Sequence, residues 1–133
     1  MKLNNTLTMK RKAGMTLLEL TVVILVLLSL ISILFVGARA WKKGSDRSAN
    51  LMNLRNTQQA MRGAQNMRSD TTVTTFASSD LVSYMKFPSA VSTITYAAGT
   101  TFTPIGTLWL TATYGSDTPA SEFEPDTTVY ADW

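Results

Sequence analysis

The stretch that decides the fold is residues 10–37, KRKAGMTLLELTVVILVLLSLISILFVG. Lys10, Arg11, Lys12 and the small pair Ala13-Gly14 lead into 23 residues, Met15 to Gly37, that carry a single charge, Glu19. At ~1.5 Å rise per residue these make a helix of about 34 Å, enough to cross a hydrocarbon core of about 30 Å. By the positive-inside rule the basic cluster stays in the cytoplasm, and the chain from residue 38 onward emerges on the far side. A secretory signal places its small-residue cleavage site after the apolar run. Here Ala13-Gly14 stands before it. A cut there leaves the apolar helix on the mature chain, with a new amine on Met15.

Glu19 is the anomaly in that helix. A lone ionised carboxylate in hydrocarbon costs of the order of 3 kcal/mol on insertion scales and is stabilised when a cation meets it. No base lies within a helical turn of Glu19. The cation that a cut after Gly14 creates nearby is the amine of Met15, on the same chain or a neighbour's. The bland alternative is an interfacial acid that snorkels to the membrane face or is protonated.

The rest of the composition narrows the field. The chain has 133 residues, no cysteine and no histidine. Disulfides, thiol nucleophiles, histidine general bases and the usual transition-metal ligands are therefore excluded. With no nucleophile elbow and no glycine-rich phosphate loop, no motif points to an enzyme. The sequence pI of 9.4 is misleading as a whole-chain property. Residues 1–14 hold four bases and no acid; residues 36–69 hold seven bases against Asp46; residues 70–133 hold Lys86 against seven acids. Without the first 14 residues, eight bases face nine acids, so the mature chain is basic in its middle and acidic towards its end.

Four segments follow. Residues 1–14 read as a basic leader and 15–37 as a membrane-spanning helix. Residues 38–68, ARAWKKGSDRSANLMNLRNTQQAMRGAQNMR, continue that helix as an amphipathic stretch without proline. Ala49, Met52, Asn56, Ala60, Gly63, Ala64 and Met67 share one face there, with Arg55 and Arg62 off it, and Lys42 and Lys43 can pair with Asp46. One helix from about residue 15 to about residue 67 would measure roughly 80 Å if straight. Residues 69–133 read as a small β-rich head. Ser79-Asp80 can cap a short helix over LVSYMK (81–86). VSTITYA (91–97) and TLWLTATY (107–114) alternate as strands, the second with Leu108, Leu110, Ala112 and Tyr114 on one side and Trp109 on the other. The tail from residue 118 reads as an extended acidic loop. The fold class is α+β: a long N-terminal helix with a small antiparallel β head.

Gly14-Met15-Thr16-Leu17-Leu18-Glu19-Leu20 after a basic leader and before an apolar run resembles the N-terminus of type IV pilins and type II secretion pseudopilins. The resemblance covers about residues 10–40 in motif and the rest in architecture only. It implies a pilin-like fold and a structural subunit of a pseudopilus or pilus-like filament. It implies cleavage between Gly14 and Met15 by a prepilin peptidase that also methylates the Met15 amine. Glu19, with Thr16 beside it, becomes the assembly carboxylate that pairs with the amine of a neighbouring subunit. The implied partners are copies of itself or related pilin subunits, the peptidase/methyltransferase and an inner-membrane assembly platform. The implied location is the bacterial inner membrane as precursor, N-terminus cytoplasmic, then a periplasmic or cell-surface filament. The chain departs from the family pattern in three places: Met15 stands where phenylalanine is usual, Val36-Gly37 where many members have proline, and no C-terminal disulfide is available. The competing reading from another class is an uncleaved single-pass anchor carrying a small extracytoplasmic binding domain.

Three further expectations concern the charges and indoles. The basic middle and acidic end suggest that staggered subunits set the acidic head of one against the basic stretch of another. The basic stretch alone would also attract phosphates, although such charges are more often a solvated face, and no nucleic-acid partner is assigned. Asp117, Glu122, Glu124 and Asp126 offer oxygen ligands of the kind calcium takes, at a spacing that matches no known loop; no cofactor or metal is assigned. Trp41 falls at the outer membrane boundary, where indoles concentrate. Trp109 is core or subunit contact, and Trp133 docks the tail.

Overall fold

The computed structural model describes Gly14, residues 16–68 and residues 72–133. Lys10, Arg11, Lys12, Met15 and Asp70 lie outside the described residues. The elements are α1 (Leu17–Met67), α2 (Ser78–Leu81), β1 (Thr95–Ala98), β2 (Leu110–Thr113) and α3 (Ala120–Phe123). The layout is α+β, one long N-terminal apolar helix and a small two-stranded antiparallel sheet. The chain divides into two compact units, residues 1–39 and 40–133.

In the first unit the side chains of α1 are exposed along its whole apolar run, from Leu17 at 80% to Val36 at 71%. A helix apolar on every side is built to be surrounded by something other than water. Its hydroxyls are turned inward on its own backbone: Thr21 donates to the Leu18 carbonyl at 2.8 Å, Ser29 to Val26 at 2.7 Å and Ser32 to Leu28 at 2.8 Å. Each of these hydroxyls is thus satisfied within the segment, as a hydrocarbon environment demands. The helix runs on through Gly37. It is long and apolar enough to cross a membrane.

In the second unit α1 contributes a buried stripe of Asn50, Leu54, Thr57, Gln58, Met61 and Ala64. The spacing is helical, and the face is rotated from the one that small residues and methionines suggest: Ala64 is buried and Ala60 packs against the core, but Met52 is 64% exposed and Met67 78% exposed. The reason lies in what covers the helix. Irregular segments with unpaired backbone groups pack against it, so the amides of Asn50 and Gln58 are needed on the buried side, while the Thr57 hydroxyl is satisfied within the helix by the Asn53 carbonyl. Gln58 accepts the Trp109 N–H at 3.0 Å through Oε1 and donates to the Thr107 carbonyl at 3.0 Å through Nε2. Asn50 donates to the Phe123 carbonyl at 2.9 Å and accepts the Tyr96 hydroxyl at 3.0 Å. Arg62, placed off the packed face by the sequence pattern, donates to the Thr103 carbonyl at 2.6 Å and the Trp133 carbonyl at 3.1 Å. Burial raises the Tyr96 and Tyr114 hydroxyls above the ordinary phenol range, against hydrogen bonds from Asn53 and Asn50 that lower them. Replacing Gln58 by alanine strands the Trp109 N–H and is expected to cost about 1–3 kcal/mol. Chemical denaturation followed by tryptophan fluorescence measures it; a loss under a few tenths would mean water takes the amide's place.

The sheet is shorter than the alternation suggests. β1 pairs with β2 in the register Thr95↔Thr113, Tyr96↔Ala112, Ala97↔Thr111 and Ala98↔Leu110. Upstream, Val91 and Ile94 exchange backbone bonds across a tight turn in which Ser92 has φ 54°. That turn ends the expected 91–97 strand and sends Ile94 into the interior. It packs so closely on Gly115 that a Cβ there would lie 2.6 Å from the Thr93 Cβ. Trp109 leaves the expected 107–114 strand because its N–H goes to Gln58. Its indole N–H bonds the Phe76 carbonyl at 3.2 Å, and both Trp109 and Leu110 are buried. Phe76 stacks on Phe102 and meets Trp109 edge-on, each at 5.1 Å between ring centres. Leu54, Met61, Ala64, Leu81 and Leu110 complete this core. Of the two alternatives for Trp109, it is core.

Two other local expectations shift. The short helix lies at Ser78–Leu81 rather than over 81–86, because Asp80 serves at its third position, accepting the Ala77 N–H at 2.9 Å. The tail is not wholly extended: Pro119 opens α3, which buries Phe123. Trp133 docks the tail on α1, its carbonyl held by Arg62 and its ring 5.7 Å from the Arg55 guanidinium.

Candidate assembly site at the start of the long helix

The residues the sequence singled out are Gly14, Met15, Thr16 and Glu19. Met15 lies outside the described residues. Gly14 and Thr16 are exposed and non-helical, and Glu19 sits in the first turn of α1. The Thr16 carbonyl accepts the first helical bond, from Leu20 N–H at 3.2 Å, which makes Thr16 the residue that caps the helix. The structure brings Thr16 and Glu19 together reciprocally. Thr16 N–H donates to Glu19 Oε2 at 2.9 Å, and Glu19 N–H donates to Thr16 Oγ1 at 3.3 Å.

This is a capping box, two otherwise orphaned backbone donors satisfied by two side chains three residues apart. It changes the account of the carboxylate. One Glu19 oxygen takes a backbone N–H within its own chain, and the whole group sits at the positive end of the helix dipole. Its other oxygen, Oε1, has no hydrogen-bond partner among the described residues. The signal was present in the sequence as Thr16-x-x-Glu19. No family model, curated protein or solved structure matches this chain.

The tail acids are dispersed. Glu122 pairs with Lys43 at 3.1 Å, the partner Lys43 takes in place of Asp46. Asp126 is held below the carboxylate range, first by the Thr128 backbone N–H and then by its hydroxyl. Among the described residues no three acidic side chains gather as a metal site. The basic stretch is partly neutralised within the chain: besides Lys43–Glu122, Arg68 lies 3.6 Å from Asp80 and donates to the Thr75 carbonyl. Some of the complementarity between basic middle and acidic end is thus closed in a single copy.

Proposed function

We propose that the chain is the precursor of a filament subunit of the type IV pilin or type II secretion pseudopilin kind. A membrane peptidase cuts it after Gly14, the Met15 amine is methylated, and the chain polymerises through the apolar part of α1. The single observation that carries this reading is the Glu19 carboxylate, folded onto Thr16 at the mouth of an apolar helix, directly beside the Gly14-Met15 junction. The capping box uses only residues 16 and 19, so it outlasts removal of the leader. Cleavage then adds a cation one residue from Thr16, while Glu19 Oε1 is open to an amine. In the precursor the basic leader holds the chain in the bilayer, and in the processed chain the same helix is an assembly face.

The first test is processing. The protein weighs 14.6 kDa over 133 residues, so loss of 14 residues lowers the mass by about 1.5 kDa. Co-expression with a prepilin peptidase is expected to produce that shift in the wild type and to leave Gly14→Ala full-length. One unshifted mass for both chains would favour an uncleaved membrane anchor with a small extracytoplasmic domain.

A further inference from the structure

The ion pairs Lys43–Glu122 and Arg68–Asp80 close part of the complementarity between basic stretch and acidic end inside each copy. What they leave open is specific. Arg55 is exposed on α1, and its guanidinium lies over the Trp133 ring, 5.7 Å from the centre. Among the described residues it has neither a hydrogen-bond acceptor nor a carboxylate partner. Stacking on an indole orients a guanidinium and leaves the N–H donors at its rim free, a preformed fork for a carboxylate. The fork opens on a cleft of about 490 Å³, lined by Gln59, Gly63 and Asn66 of α1 and by Asp132 and Trp133 of the tail. A Cβ on Gly63 would meet nothing within 4 Å, so there is free room against the helix backbone. Gln59 and Asn66 add amides that both donate and accept, the chemistry that meets a peptide backbone. Asp132 makes no ion pair with Arg55, and its charge weighs against a doubly charged phosphate more than against a single carboxylate.

A matching acid stands on the same chain. Glu124 follows α3 with an extended backbone and is exposed, its carboxylate holding no hydrogen bond and no ion pair among the described residues. Its neighbours fix its place: Phe123 is buried with its carbonyl on Asn50 at 2.9 Å, and Glu122 pairs with Lys43. Asp126, by contrast, already has Oδ1 engaged by Thr127 and Thr128. Glu124 therefore stands beside residues 43–50 of α1, and the cleft beside residues 55–66, about 20 Å further along the helix. A single copy keeps the two apart, and a second copy shifted by that distance brings them together. The two surfaces differ, so the contact is heterologous. Repeated with a shift along its axis, such a contact does not close on itself but extends as a helical polymer.

We propose that the Arg55 cleft of one copy receives the Glu124-Pro125 segment of a second copy, with the Glu124 carboxylate on the Arg55 guanidinium. The contact deepens the filament reading, on which it rests for the side-by-side placing of copies. The chain has no cysteine, so introduced thiols report one contact without background. Full-length Gln59→Cys and Thr127→Cys chains, distinguished by tags of different size, are co-expressed with a prepilin peptidase and an assembly platform and treated with a short bis-maleimide. A crosslinked pair carrying both tags is expected. Each cysteine variant alone is expected to give less than about a tenth of that yield, because identical positions do not meet across a heterologous contact. Adding Arg55→Glu to the Gln59→Cys chain is expected to cut the mixed yield at least about tenfold, by setting like charges face to face. Adding Glu124→Arg to the Thr127→Cys chain is then expected to restore it, a rescue that damage to the fold of either copy does not produce.

Absence of the mixed crosslink, a crosslink untouched by Arg55→Glu, or a loss that Glu124→Arg does not restore overturns the proposal. So does crosslinking of Gln59→Cys to itself at the mixed level, which would make the cleft a symmetric contact. Capture of a host protein in place of the tagged partner would assign the cleft to a different acidic protein, and overturns it too. The same gel reads leader cleavage by its mass shift. Shifted chains without the mixed crosslink lose the head contact alone, and unshifted chains that keep it lose the filament reading alone.

Discussion

Trp109→Ala is expected to unfold much of the 40–133 unit at physiological temperature. The indole is buried, donates to the Phe76 carbonyl and packs edge-on against Phe76, while its backbone N–H is held by Gln58. Removing a buried tryptophan side chain costs about 3–5 kcal/mol, against a total stability of about 5–14 kcal/mol for a unit of this size. Gly99 makes collapse around the gap difficult. Its backbone lies so close that a Cβ would be 2.8 Å from the indole, and its N–H already bonds the Trp109 carbonyl at 3.0 Å. Thermal melts of the full chain in micelles, followed by near-ultraviolet circular dichroism, are expected to drop by about 15 °C or more. Trp109→Phe keeps part of the packing and loses the indole donor, so it should fall between. A loss below about 1 kcal/mol in the alanine variant would remove Trp109 from the core.

The second large effect concerns Glu19, and the capping box allows its two possible jobs to be separated. Glutamine retains a side-chain oxygen able to accept the Thr16 N–H, but carries no charge. If capping were the whole role, Glu19→Gln would assemble like the wild type, and Glu19→Ala would lose only about 0.5–2 kcal/mol of helix-start stability. On the proposed mechanism the charge is what meets the Met15 amine. Both variants are then expected to lower filament yield at least about tenfold, the equivalent of about 1.4 kcal/mol per subunit added. Leader cleavage should proceed in both. The measurement is the sheared filament fraction relative to processed subunit in the membrane. Wild-type yield from Glu19→Gln would sink the pairing mechanism while leaving the cap intact.

How much of this was legible in the chain depends on which force set each feature. The long helix was, because apolar length and the lack of proline before residue 88 leave few alternatives. The aromatic core was partly so, with Trp109 on a recognisable alternating run. The buried face of α1 was not. Asn50 and Gln58 look like solvent residues until one knows that irregular backbone lies over them, and that information is carried by segments 49 to 73 residues away. The strand ends were hidden for a related reason: the turn at Ser92 and the capture of Trp109 by Gln58 are tertiary events that override alternation. At the candidate site the reverse holds. Thr16-x-x-Glu19 is a purely local signature, and it was obscured because a carboxylate in an apolar run draws attention to what lies outside the chain rather than to the amide three residues back.

That local closure has a consequence for how a processed chain would differ from its precursor. The helix start is defined by residues 16 and 19 and borrows nothing described upstream, so removing the leader need not rewind or lengthen α1. Processing, if it occurs as proposed, would then be a change of electrical state at a constant helix start. On the proposed function, the unit joining a growing polymer would carry the same helix start as its precursor, and recognition would turn on a single added charge.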